Sequence, residues 1–372
     1  MFTSKKLQRL FISALLTCAL SVYAAPAGTG DLVITLSAPS TAKGVDELKI
    51  KVTVTNTGNE TLQLLKDPRT LLVNSQTNSF KIASDGGSPA FEGKMMKFVP
   101  EKNKKNVQIL QPGKAFSVVH ELNMYDFTKS GEGTYQIAPS SQALQFSAVD
   151  ANTSKIEKLQ GKTDPKTTSV KIKLSGQLKS STSRPSSSQG SRPGSSGKSK
   201  RAGPTFSQCN TNQETAIKEA VKEATTYAKE SETYLKANKK GTPRYVEWFG
   251  TFQAVRHTKV LDIFEKMVKQ GFDSYTYVCD PSPGTYAYVY PTQFGVVYVC
   301  DDFFDANTPL TGTDSKAGTL VHETSHFPQI GDTEDHAYGH TDAQDLARND
   351  PDKAIENADN YEFFAENTPH LA

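Results

Sequence analysis

His322-Glu323-Thr324-Ser325-His326 decides how the second half of this chain is read. On a helix, residues i and i+4 lie one above the other, so the two imidazoles can grip one metal ion with Glu323 beside it. Such a site needs a third protein ligand and an open position. There zinc lowers the pKa of a water toward about 7, and a glutamate can accept its proton. The bare pattern also arises by chance on amphipathic helices, so its surroundings matter. Ala317-Gly318-Thr319-Leu320-Val321 runs into it without a proline, which favours a buried helix. Phe327-Pro328 then ends that helix just past His326.

The chain must turn back to supply the third ligand. Asp332 and Asp335 follow closely, Glu356, Glu362 and Glu366 sit on a later helix, and His336 and His340 compete only over a longer loop. A carboxylate on a tight loop, Asp332 or Asp335, can fold straight back onto the metal. The run Asp332-Thr333-Glu334-Asp335-His336-Ala337-Tyr338-Gly339 resembles the signature of the deuterolysin-like aspzincins, and most closely the fungal peptidyl-lysine metalloendopeptidases. That signature is HExxH followed by GTxDxxYG; Thr333, Asp335, Tyr338 and Gly339 match, and Asp332 replaces the first glycine. The resemblance spans the chain after residue 201. It implies His322, His326 and Asp335 as ligands of one zinc ion and Glu323 as general base. It also implies Tyr338 as a donor to the developing oxyanion, a role commonly worth about 3 kcal/mol. Asp332 stays a rival ligand.

The segment from Asn357 to Asn367 is similar to the C-terminal segment of the lysine-specific enzymes, where an aspartate and a glutamate three residues later form an acidic pocket. The matching positions, Asp359 and Glu362, are thereby implied as substrate-binding residues. Their i, i+3 spacing puts both carboxylates on one helix face, able to hold an ammonium group. Read on spacing alone, the same pair is a solvated acidic face. The resemblance implies cleavage on the amine side of lysine (P1′), with arginine disfavoured because a planar guanidinium misfits a slot shaped for a compact ammonium.

The beginning of the chain sets the compartment. Lys5, Lys6 and Arg9 precede an apolar run from Leu10 to Leu20, and Val22-Tyr23-Ala24 has small residues spaced for cleavage: residues 1–24 read as a secretory signal peptide. No other stretch approaches the roughly 20 apolar residues of a membrane span. The protein is expected to be secreted, without membrane or nucleic-acid partners. Cys18 leaves with the signal, so Cys209, Cys279 and Cys300 remain and one must be unpaired. The family alignment favours Cys209 with Cys279; Cys279 with Cys300 is the alternative.

Residues 25–174 read as a β-rich prosegment. Short alternating runs such as Leu32-Val33-Ile34-Thr35-Leu36 and Leu48-Lys49-Ile50-Lys51-Val52-Thr53-Val54 are separated by turn residues, as expected of an immunoglobulin-like sandwich. Residues 175–201 form a Ser/Gly/Pro/Arg-rich linker that cannot bury a core. It ends in Lys200-Arg201, a dibasic pair placed where a processing protease would cut. Residues 202–372 are then the mature metal domain, helix-rich α+β with a small sheet.

Charge separates the same two parts. The 372-residue chain is near neutral at +2, yet residues 1–201 hold 28 of the 42 basic and 14 of the 40 acidic side chains, leaving 14 basic against 26 acidic after them. A basic prosegment should dock on an acidic partner, and an acidic domain repels nucleic-acid phosphates.

Within the second part, helices are expected over 213–237, over 243–269 with Trp248, Phe249, Phe252, Val255, Val260, Ile263 and Phe264 as core, and over 351–367. A hairpin is expected from Tyr286–Tyr290 and Gly295–Val299, offering an edge to extended substrate. The reading is a secreted, monomeric zinc endopeptidase made as an inactive precursor, acting on proteins and peptides and partnered by its own prosegment. The alternatives are a deuterolysin of broader specificity, or an adhesion protein with a degenerate metal helix, against which the intact Glu323 argues.

Overall fold

The computed structural model describes residues 32–180 and 203–372. The expected signal peptide with Cys18, most of the linker and Lys200-Arg201 lie outside these residues.

Residues 32–180 are rich in sheet. Leu32–Ser37 buries Leu32, Ile34 and Leu36, and Lys49–Asn56 buries Ile50, Val52 and Val54, so every second side chain points inward. These two strands pair antiparallel, and Ala115–Glu121 continues the sheet. A second four-stranded sheet runs Thr41–Gly44, Val170–Gln177, Gly133–Pro139, Phe80–Ala83, and a third runs Ile156–Gln160, Gln145–Val149, Leu62–Leu65, Val107–Leu110. One apolar core joins them, including Leu64, Phe127, Tyr135, Ile137, Phe146 and Ile172. Full burial of each such side chain is worth about 1.5–3 kcal/mol.

Residues 203–372 are mainly helical: α1 (Thr211–Ala237), α2 (Pro243–Phe249), α3 (Ala254–Gln270), α4 (Asp301–Phe304), α5 (Lys316–Ser325), α6 (Gly339–Asn349), α7 (Pro351–Ala354) and α8 (Ala358–Glu366). Helix α1 starts in a capping box, where Asn210 accepts from the amides of Asn212 and Gln213 while the Gln213 side chain accepts from the Asn210 amide. Its buried face, with Ile217, Ala220, Val221, Ala224 and Ala228, packs on α3 and α5.

Two expected helices are each broken into two. The helix expected over 243–269 stops at Gly250, whose φ of +71° and close approach to the Ala347 carbonyl exclude a side chain. Restarting at Ala254 leaves Val255 82% exposed, so Val255 is not core. The helix expected over 351–367 is interrupted between α7 and α8, where Glu334 bridges to Asn357 and its amide bonds to Glu356 O (2.7 Å).

The expected hairpin forms: Thr285–Val289 pairs antiparallel with Val296–Val299. It belongs to a sheet in which Thr205–Ser207, Thr276–Cys279 and Val296–Val299 run parallel. The outer edge of Thr285–Val289 is not open. Met95–Phe98, from the sheet-rich part, pairs with it antiparallel and completes five strands. Cys209 and Cys279 form the disulfide, and Cys300 is free and buried. Among the described residues no helix is long and apolar enough to cross a membrane.

Candidate active site

Helix α5 begins at Ser315, whose Oγ accepts the Gly318 amide at 2.9 Å, and all its residues but the first are buried. It crosses α8 closely, and a side chain at Gly318 would strike Glu366. The helix ends at Ser325, and His326 caps it. The chain reverses at once: the amides of Ile330, Gly331 and Asp332 all donate to the Phe327 carbonyl, and the Thr333 amide reaches Ser325 O. Asp332 sits at φ +50°, a left-handed conformation that explains a glycine preference there and that aspartate tolerates better than most residues.

This reversal fixes His326. Thr333 O lies 2.8 Å from His326 Nδ1, and a carbonyl can only accept, so Nδ1 carries a hydrogen and Nε2 is the ring nitrogen left to face a metal. The other imidazole is oriented similarly, with Asp359 Oδ1 2.7 Å from His322 Nδ1. The two free Nε2 atoms converge on Asp335 Oδ1, at 3.2 Å from His322 and 3.4 Å from His326. All three groups are buried, and none of these atoms has a hydrogen-bond partner. Buried unpartnered donor atoms of this kind, two imidazole and one carboxylate, suit a zinc ion. Burial alone would raise the Asp335 carboxyl, but His326 and His322 hold it well below the usual range. His322 also meets Asp359 and Glu362, a second group of potential ligands, but that side of the ring is where a lysine is bound. Asp332, Glu356, Glu366, His336 and His340 join neither group. Asp332 is exposed, and His340 packs tilted against Phe363, ring centroids 4.2 Å apart.

Glu323 is fully buried, and neither of its oxygens is hydrogen-bonded. Burial pushes its carboxyl up to about 7, against the pull of the two histidines.

The loop after Asp335 is held by a residue that sequence reasoning missed. Asn357 Oδ1 accepts from the amides of His336 (2.7 Å) and Ala337 (3.0 Å), and its Nδ2 donates to Ala337 O. Gly339, at φ +76°, turns its amide onto Asp359 Oδ2 at 2.6 Å. These contacts set Tyr338, whose hydroxyl donates to Met96 O at 3.3 Å, and Arg69 covers its ring at 3.4 Å from the centroid.

Asp359, Glu362 and Glu366 occupy one face of α8, toward α5. Glu366 accepts from the amide and hydroxyl of Ser315. Glu362 is buried and bonds the ammonium of Lys97, which also lies 3.1 Å from Asp314 Oδ1. Lys97 is only 1% exposed. Burial works against its charge, yet Glu362, Asp314, Asp359 and Glu366 together hold its pKa well above the ordinary lysine value. Neither Asp314 nor Lys97 had a local sequence signal. The Tyr338, Asp314 and Asp359 side chains line a cavity of about 390 Å³ between the two parts of the chain, together with Arg69 and Lys97.

The chain is similar to known proteins. Residues 234–366 match the model of the aspzincin family, described as lysine-specific metallo-endopeptidase. A peptidyl-Lys metalloendopeptidase of Grifola frondosa is 40% identical over 96% of this chain and 97% of its own. An extracellular protease of Aeromonas hydrophila is 32% identical over 87% of this chain and 89% of its own. Among solved structures, a zinc peptidase from Grifola frondosa is 47% identical over 44% of this chain and all of that one, with a TM-score of 0.43. Since the family model matches and peptidyl-Lys metalloendopeptidases are 40% identical over nearly the whole length, sheet-rich part included, the chain belongs to the aspzincin family and is a metalloendopeptidase.

Proposed function

We propose that this metalloendopeptidase is zinc-dependent, is secreted as a precursor, and cuts on the amine side of lysine. The observation that carries the lysine preference is the buried ammonium of Lys97 between Glu362 and Asp314, beside the Asp335–Tyr338 loop. A cleft that already holds a lysine side chain fully desolvated has the charge and depth to select one from a substrate. Asp359 adds negative charge to the same face.

His322, His326 and Asp335 are assigned as the zinc ligands. Zinc held there would polarise the scissile carbonyl and acidify a water. Glu323 accepts a proton from the attacking water and passes it to the departing amine. Tyr338 donates a hydrogen bond to the carbonyl oxygen as charge builds on it. The strand Thr285–Val289 aligns extended substrate through backbone hydrogen bonds, as it now aligns Met95–Phe98.

The precursor reading rests on the same strand: with Met95–Phe98 in place, no substrate can pair with that edge. Residues 1–24 act as the signal, the sheet-rich part through the strand Val170–Gln177 as an immunoglobulin-like prosegment, the residues from there to 201 as the linker cut after Lys200-Arg201, and 202–372 as the mature, monomeric enzyme. The extracellular relative supports export.

Metal content and hydrolysis of a denatured protein test the assignment. About one zinc per chain, activity lost to a chelator and restored by zinc, is the expected result. Metal-free protein, or hydrolysis indifferent to chelation, contradicts it. Scattered cleavage at apolar residues would favour the broader deuterolysin reading.

A further inference from the structure

We infer that Met96–Lys97 is a substrate bond built into the precursor, which the enzyme hydrolyses in its own chain. The inference rests on the lysine-directed reading above and names one bond.

Three independent contacts define it. First, the strand Met95–Phe98 lies against α5 and pairs antiparallel with Thr285–Val289, in the register Ala287 with Lys97 and Tyr288 with Met96. It is therefore extended along the sheet edge, as a bound peptide would be. Second, both backbone groups of Met96 meet the site: its amide donates to Asp335 Oδ2 at 3.3 Å, and its carbonyl accepts from Tyr338 at 3.3 Å. Third, the residue that follows this carbonyl is Lys97, whose ammonium is enclosed by Glu362 and Asp314.

The order of these contacts along the chain is what matters. The carbonyl held by the proposed oxyanion donor and the side chain held by the proposed lysine pocket belong to adjacent residues. An enzyme that cuts on the amine side of lysine needs that adjacency and no other. A merely inhibitory plug could put any carbonyl near Tyr338, and a merely structural lysine could come from either strand direction.

Other contacts hold the segment in this register. Asn103 donates to Gly284 O at 3.1 Å, Lys102 bonds Thr308, and Gln142 donates to the Asp335 carbonyl. Hydrolysis adds water to the Met96 carbonyl carbon and breaks the bond to the Lys97 nitrogen. Glu323 carries the proton from water to that nitrogen. Met96 leaves as a carboxylate and Lys97 as a new ammonium terminus. Cutting separates the two contacts that pinned the strand, so it would free the sheet edge for other substrates.

The test uses the full chain with Lys200→Ala and Arg201→Ala, so that the linker junction stays intact. Zinc is added, fragments are identified by mass spectrometry, and a denatured protein is supplied as a second substrate. The expected result is a fragment beginning at Lys97 and one ending at Met96, formed at a rate independent of chain concentration, and absent in Glu323→Gln. Lys97→Gln should form neither fragment, and the closed-to-open equilibrium constant of this strand should fall roughly 100-fold through loss of the buried ion pair. Because that change leaves Glu362 buried without its partner, Lys97→Arg provides the charge-preserving control: it should fold and be cut slowly. An intact Met96–Lys97 bond in a chain that cuts the added protein before lysine overturns this inference alone. A chain that cuts neither overturns both it and the lysine-directed reading.

Discussion

Asp359 Oδ1 lies 2.7 Å from His322 Nδ1, on the edge of the ring away from the Nε2 that faces Asp335. One carboxylate thus serves two ends of the site: it orients an imidazole and adds charge to the face that binds Lys97. Its other oxygen accepts the Gly339 amide, which ties the Tyr338 loop to the same point.

Asp359→Ala should therefore weaken zinc binding about 10–100-fold, the usual cost of removing a partner that orients a metal-binding histidine. Competition with a chromophoric chelator measures it. Unchanged zinc affinity with altered cleavage preference would restrict Asp359 to the substrate pocket.

Glu323→Gln should retain the metal and lose about 10²–10⁴ in turnover, because only the proton acceptor is removed. Asp335→Ala should instead lose the metal. Zinc analysis of both variants after dialysis distinguishes these outcomes. Metal loss in Asp332→Ala with metal retained in Asp335→Ala would reverse the assignment, against the exposure of Asp332.

The Asp314 side chain is 33% exposed, so its contribution to lysine binding is screened by solvent. Asp314→Asn should raise KM for lysine peptides by up to about fivefold and leave kcat unchanged, since such pairs are worth about 0.2–1 kcal/mol. Steady-state kinetics on one peptide series reads it; a fall in kcat alone would place Asp314 in the chemistry instead.

Cys300 is fully buried, and burial, reinforced by Asp280, keeps its thiol protonated far above neutral pH. It should resist iodoacetamide in the folded chain and react upon unfolding. Replacing Cys209 and Cys279 by alanine, which opens a loop closed across 70 residues, should cost about 4 kcal/mol of stability. A denaturant titration checks the second statement. Rapid labelling of the native thiol would show that the Tyr286–Tyr290 hairpin region opens readily.

The sequence revealed the parts of the site built by neighbours in the chain. His322, Glu323 and His326 share one helix turn, and the Phe327-Pro328 stop forces the return that brings Thr333 and Asp335 back. Asp359 and Glu362 were visible as an i, i+3 pair, but their shared contact with His322 was not, because it depends on how α8 crosses α5. Period-two burial exposed the strands of the first part without showing how they distribute over three four-stranded sheets. Gly250 broke a helix whose apolar spacing looked continuous, since its φ is set by contact with Ala347, nearly 100 residues away. Lys97 was the least legible of all. Nothing around Met95-Met96-Lys97-Phe98 distinguishes it from other basic strands, and its partner Glu362 lies 265 residues further along.

Digestion of a denatured protein of known sequence, followed by identification of every new N-terminus, tests the central claim most directly. Lysine should occupy most new N-termini, with arginine rare, and a chelator should abolish them all. New N-termini distributed over apolar residues, or lysine and arginine cut equally, would contradict a pocket in which Glu362 and Asp314 select one compact ammonium.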